Sequence, residues 1–170
     1  MKHEDKNIVL IGMPGVGKTT IGKLLAQSLS REFIDIDEYL EQQTGMTIPE
    51  MFAISEEFFR EREAATIREV AACDNLVIAT GGGVIKIPDN IEILKQTGVL
   101  FFLNRSPQDI MLSLNPDHRP LLKDNPQVKL EQLHLERYDK YLACADYKID
   151  CVYNKLQETL TQILNIYNNG

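Results

Sequence analysis

Asn7-Ile8-Val9-Leu10-Ile11-Gly12-Met13-Pro14-Gly15-Val16-Gly17-Lys18-Thr19-Thr20 is the stretch from which the rest of the chain can be read. A short apolar run ends at Gly12, and that glycine opens the pattern G-x-x-x-x-G-K-[ST]. Beyond it Ile21, Leu24, Leu25, Ser28 and Leu29 recur at helical spacing, so the pattern falls between a predicted strand and a predicted helix. Glycines there let the backbone curl until successive N–H groups point at phosphate oxygens, and the helix N-terminus adds positive potential. The pattern predicts a phosphate cradle over Gly15, Val16, Gly17, Lys18, Thr19 and Thr20, with ATP as ligand. Lys18 is expected to reach the β- and γ-phosphates, and Thr19 to offer its hydroxyl to Mg²⁺. A glycine-rich turn without a ligand, or nucleotide binding without transfer, are the plainer alternatives.

Further apolar runs stand at Phe33–Ile36, Leu76–Ala79, Val99–Leu103 and Tyr147–Cys151. Like the first, they lack strict alternation, as strands buried on both faces of a parallel sheet do. Leu156, Leu160, Ile163 and Leu164 mark one face of a last helix. The alternation predicts an α/β fold of three layers, α/β/α, around a five-stranded parallel sheet. Two regions depart from it. Residues 37–68 form a long helical excursion broken near Gly45 and Pro49. About 113–126, Pro116, Pro120 and Pro126 favour a mobile lid over a helix. Loops in such folds gather at the carboxyl ends of the strands, so both regions are expected over one cleft.

With 170 residues the chain is expected to be a single domain, 1–170. Its 18 Lys+Arg against 25 Asp+Glu leave a formal charge of −7, which would repel nucleic acid or an anionic membrane at long range. Neither is expected as a partner. Cys73, Cys144 and Cys151 form no C-x-x-C pair, and His3, His118 and His134 have no metal-ligand spacing. A reducing cytoplasm is the natural reading, with Cys73, on a helical stretch, and Cys151 as small packing residues. The charged start, MKHEDKN, leads into too short an apolar run for a signal or membrane segment.

Asp35 and Asp37 flank Ile36 at the end of the second predicted strand, so an extended backbone sends both carboxylates to one side, one for a metal and one for a hydroxyl. The alternative is that Asp37 caps the helix beginning at Glu38. Arg60 has Glu56, Glu57 and Glu63 at helical pairing distances, which is enough for a plain surface ion pair. Arg137 has no acid three or four residues away, so an anionic ligand or a partner off its helix is the reading set against a solvated arginine. Pro120 biases Arg119 toward an extended backbone within the lid, where it could swing over a transferring phosphoryl group; a plain surface arginine is the alternative. Gly81, Gly82 and Gly83 directly follow a strand and predict close approach of a ligand to bare backbone.

Taken in order, GMPGVGKTT, the Asp35–Asp37 pair, FFR ending at Arg60, the three glycines, RPLL from Arg119 and Arg137 followed by Tyr141 resemble shikimate kinase across nearly the whole chain. The resemblance implies a nucleoside-monophosphate-kinase-like P-loop fold and transfer of the ATP γ-phosphoryl group to the 3-hydroxyl of shikimate, by a monomer. It also implies roles. Arg60 and Arg137 would hold the substrate carboxylate, while Asp37 and the Gly82 backbone bind hydroxyls and Asp37 accepts the proton. Asp35 would support Mg²⁺ beside Thr19, and Lys18 and Arg119 would stabilise the moving phosphoryl charge. Two positions depart from the family pattern. Leu112, seven residues before Arg119, stands where an arginine usually lies against the adenine, and a leucine supplies no cation–π contact. Ser55 stands where a glycine is usual. Another small-metabolite kinase, such as one for gluconate, and an ATP-responsive regulatory module are the competing readings.

Overall fold

The computed structural model describes residues 3–114 and 124–170. Five parallel strands, β1 (Asn7–Ile11), β2 (Glu32–Asp35), β3 (Leu76–Ala79), β4 (Gly98–Asn104) and β5 (Tyr147–Asp150), form one sheet in the order β2-β3-β1-β4-β5. The central strands are sealed on both sides: every residue of β1 and β3 is buried, as is β4 up to Leu103. This explains their unbroken apolar runs. The register sets Val9 opposite Ile78 on one side and Leu100 on the other.

Chain direction assigns the helices to faces. The crossover through α1 (Lys18–Leu29) runs from β1 to β2 across the sheet, whereas those through α4 (Glu56–Ala71) and α5 (Pro88–Thr97) run back the other way. Right-handed connections therefore place α1 on one face and α4 and α5 on the other. The packing agrees: α1 lies against α8 (Leu156–Asn169), and α4 lies against α5. The short α6 (Pro107–Met111) and the long α7 (Pro126–Cys144) link β4 to β5. On α8 the expected stripe is buried at Leu160 and Ile163, but Leu156 is exposed and Tyr167 completes the face.

The excursion resolves into two short helices and most of the longer α4. α2 (Ile36–Thr44) ends at Gly45, whose left-handed φ of 66° closes the turn. α3 (Ile48–Ile54) starts with a capping box between Thr47 and Glu50. Leu40, Met51 and Phe59 form a small core of their own beneath these helices, so the excursion carries its own packing apart from the sheet. Ser55 caps α4, its hydroxyl accepting from Phe58 N at 2.9 Å. Its backbone is extended, with φ −172°, so a serine fits this position without strain. Cys73, expected on a helix as a packing residue, instead lies exposed in the turn after α4.

Candidate active site

β1 and β3 are neighbours in the sheet and the chain leaves them in opposite senses, from β1 toward β2 and from β3 toward β4, so the loop after β1 opens into the crevice at the carboxyl ends of the strands. Gly12, Gly15 and Gly17 in that loop all have positive φ, of 147°, 81° and 107°. At Gly12 a Cβ would also come within 2.6 Å of Leu103 O, so only glycine fits. Gly17 is the N-cap of α1 and supplies no side-chain cap, which leaves the amides of the first turn to a ligand. Lys18 Nζ donates to Gly12 O at 2.7 Å and to Met13 O at 2.9 Å, folding the ammonium onto the loop it serves. Thr20 is exposed on the outer side of the turn.

Thr19 Oγ1 donates to Asp35 Oδ2 at 2.6 Å. Asp35, not Asp37, is the cap of the helix: β2 ends there, and Oδ1 accepts from Asp37 N and Glu38 N at 3.0 and 3.2 Å. The expected extended Asp35–Asp37 segment is thus a strand end followed at once by a helical turn. Both carboxylates still line one cleft, because the first turn of α2 carries Asp37 over the sheet edge.

That cleft, of about 580 Å³, runs from Lys18 and Thr19 past Asp37 to Arg60, Gly82 and Arg137. The P-loop, Arg60 and Arg137 therefore share one space. Asp37 Oδ1 is sealed from solvent without a hydrogen-bond partner. Burial first, then the charges of Glu63 and Asp35, push its carboxyl up to about 7, against the pull of Lys18 and Arg60.

Arg60 does make the ion pairs its spacing predicts, to Glu63 at 2.7 Å and Glu56 at 3.4 Å, yet it is buried rather than on the surface. Glu63 is wholly enclosed, which pushes its carboxyl upward in spite of Arg60 and Arg137, and its Oε2 has no partner. Arg137, with only 5% of its surface exposed, has no ion pair among the described residues, and its Nη1 is an unpaired buried donor. A buried guanidinium nitrogen without a hydrogen-bond partner is a donor that an anion would answer.

The three glycines explain themselves by what a side chain would strike. A Cβ on Gly81 would lie 3.1 Å from Glu63 Oε2 and 3.2 Å from Asp37 Oδ1; one on Gly82 would lie 3.3 Å from Arg137 Nη1 and one on Gly83 2.3 Å from Arg60 Nη2. Tyr141 Oη donates to Gly82 O at 2.5 Å and pins the turn to α7; burial pushes this phenol up to about 12, so it stays protonated.

Sequence reasoning missed the enclosure of Glu63 and the structural part of Tyr141. It also missed Arg105, which reaches Asp109 at 2.5 Å and Val16 O at 3.5 Å and so braces the cradle. Only the spacing of Arg105 and Asp109 was a signal. Arg119 and most of the lid lie outside the described residues. Among those described, no helix is long and apolar enough to cross a membrane, and no cluster of three or more His, Cys, Asp or Glu could hold a metal. Thr19 with Asp35 is instead a hard oxygen pair of the kind Mg²⁺ takes together with phosphates and water.

A phosphate cradle at the crevice of a parallel sheet, opening into a cleft with a sealed carboxylate and two buried guanidiniums, defines a P-loop kinase of small anionic molecules. A family model described as shikimate kinase matches residues 14–168, and the chain belongs to that family. It is 43% identical to a shikimate kinase of Clostridium botulinum over 164 residues, 96% of this chain and 98% of the relative. The structure of shikimate kinase from Acinetobacter baumannii in complex with shikimate superposes with a TM-score of 0.90 at 38% identity, covering 95% of this chain and 92% of that one. That from Aquifex aeolicus gives 0.80 at 31%, covering 94% of each.

Proposed function

We propose that this chain transfers the γ-phosphoryl group of ATP to the 3-hydroxyl of shikimate, forming shikimate 3-phosphate and ADP for chorismate and aromatic amino-acid biosynthesis. The observation that carries this is the unpaired buried Nη1 of Arg137, one cleft with the unpaired Oδ1 of Asp37 and the phosphate cradle. A carboxylate ligand answers the first and a ligand hydroxyl the second.

The substrate carboxylate lies between Arg60 and Arg137, and its hydroxyls meet Asp37 and the Gly82 backbone. The 3-hydroxyl oxygen forms a bond to the γ-phosphorus as the bond to the β,γ-bridging oxygen breaks; ADP leaves with the electron pair. The hydroxyl proton passes to Asp37, whose carboxyl, poised near 7, suits a base at neutral pH. Lys18 leaves the loop carbonyls for the β/γ-phosphates, the amides of Gly15 to Thr20 hold the phosphate oxygens, and Arg119 adds charge from the lid. Thr19 and Asp35 would hold Mg²⁺, which when bound neutralises phosphate charge. The working unit is one domain, 1–170, acting as a cytoplasmic monomer.

A gluconate-type acceptor or a regulatory module is not favoured by the family match or the relatives above. Mg²⁺-dependent ADP release is measured with shikimate, gluconate or no acceptor. Release that depends on shikimate is expected. Equal release with gluconate, or none with any acceptor despite ATP binding, overturns the reading.

A further inference from the structure

A second cavity, of about 200 Å³, lies in the groove between α7 and the excursion. Phe52, Arg60 and Arg137 line both it and the main cleft, so the two spaces share a wall. The groove adds Lys86 and Lys129 to the two arginines, and among the described residues it sets only Glu56 and Glu136 against these four cations. Glu56 is already engaged, by Lys86 Nζ at 2.6 Å and by Arg60 Nε at 3.4 Å. Lys129, half-buried in the first turn of α7, makes no ion pair among the described residues.

The main cleft has the opposite balance. Its lining carries five carboxylates, Glu38 and Glu41 on α2 among them, against Lys18, Arg60 and Arg137. Even with Asp37 and Glu63 protonated the two signs only cancel, and a bound nucleotide adds negative charge. The chain as a whole carries −7, so an approaching carboxylate is repelled at long range and meets its favourable potential on the groove side. The groove is smaller than the roughly 300–1,000 Å³ of sites for drug-sized ligands. It suits a small carboxylate and shuts out a nucleotide.

We propose that this groove is a capture site for the acceptor: Lys129, with Lys86 beside it, takes the carboxylate of the incoming substrate, which then crosses the shared wall to Arg60 and Arg137. The assignment rests on the acceptor reading above. Lys129 acts on the rate at which the acceptor arrives, because the bound carboxylate lies with the two guanidiniums and no longer with the ammonium.

The chain has no tryptophan, so Phe52→Trp places a single reporter in the shared wall. In that background the association rate of shikimate is measured by stopped-flow fluorescence. At an ionic strength of about 0.01 M, where screening reaches only beyond about 30 Å, Lys129→Gln is expected to slow association about threefold, the size of one exposed charge pair. Lys129→Arg, which keeps the charge, restores the rate, and Glu136→Gln raises it. At about 1 M the screening length is about 3 Å and the differences close. Lys95→Gln removes the same charge beside the amino end of β4, away from the cleft, and measures the effect of net charge alone. An association rate in Lys129→Gln equal to that in Lys95→Gln overturns the proposal, as does a gap that salt leaves open. No response of the reporter to shikimate in enzyme that still turns it over overturns it too. Loss of shikimate-dependent ADP release in the parent is a failure of the acceptor reading instead, so the two failures are separable.

Discussion

Glu63 Oε1 accepts a hydrogen bond from Arg60 Nη1 at 2.7 Å inside the protein, where Glu63 has no exposed surface at all. Glu56 on the rim takes Arg60 Nε at 3.4 Å, but it is half exposed and shared with Lys86, so Glu63 is the main counter-charge. Glu63→Ala leaves the guanidinium without it, at a cost of about 3 kcal/mol in stability. Urea unfolding measures this, and an unchanged midpoint would mean that Arg60 is balanced elsewhere.

Asp37→Asn removes the proton acceptor and lowers kcat by about 10²–10⁴, while nucleotide affinity, which rests on the cradle, holds. Undiminished kcat would remove Asp37 from the chemistry.

The same substitution changes the pH dependence of stability in the ligand-free chain. Asp37 is raised from its ordinary 3.8 to about 7, so the native state binds the proton more tightly than the unfolded chain. The stability this lends is complete below about pH 4 and is lost as pH rises through 7. Asp37→Asn is expected to be more stable than the parent by about 4 kcal/mol at pH 8, with the gap closing toward pH 4. Unfolding curves at the two pH values test it; a constant gap would refute the shift.

Arg137→Ala is expected to raise KM for shikimate about 10- to 100-fold, the loss of one charged hydrogen-bonding partner, with little change in KM for ATP. Its Nη1 makes no bond within the described chain, so stability should not fall. Equal losses for both substrates would indicate a collapsed site.

Two glycine substitutions should separate by mechanism. Gly83→Ala meets only the movable end of Arg60, at 2.3 Å, and so displaces a substrate ligand: KM for shikimate rises while the chain still folds. Gly12→Ala meets the backbone oxygen of Leu103 at 2.6 Å from a φ of 147°, and soluble yield should fall. Comparable yields and kinetics for the pair would undo both explanations.

Ser55→Ala removes the hydroxyl that accepts from Phe58 N and should cost about 1 kcal/mol. Ser55→Gly should cost only a few tenths of that unit, as measured by thermal unfolding.

Where physical rules act over a few residues, the sequence was enough. The three central strands were legible because strands buried on both faces must be apolar at every position, whereas β2 and β5, read in the same way, are edge strands and only partly buried; Gly12 to Thr20 were legible because a backbone curled round phosphate needs glycine at set intervals. The boundary at Asp35 was missed by one residue, since a strand end and a capped helix start use the same Asp-Ile-Asp letters until the cap hydrogen bonds are seen. The missing acid beside Arg137 was a local signal, and Arg137 has no ion pair among the described residues.

Burial and convergence were decided only in three dimensions. Spacing read Arg60 as a surface ion pair because Glu56 and Glu63 lie at the right intervals, and nothing local tells an enclosed pair from a solvated one. Glu63, Gly81 and Asp37 come from separate segments, and only the sheet order brings their atoms within van der Waals reach. Periodicity reports which way a side chain leaves its own element; what it meets there, and how much water remains, depends on how the elements pack.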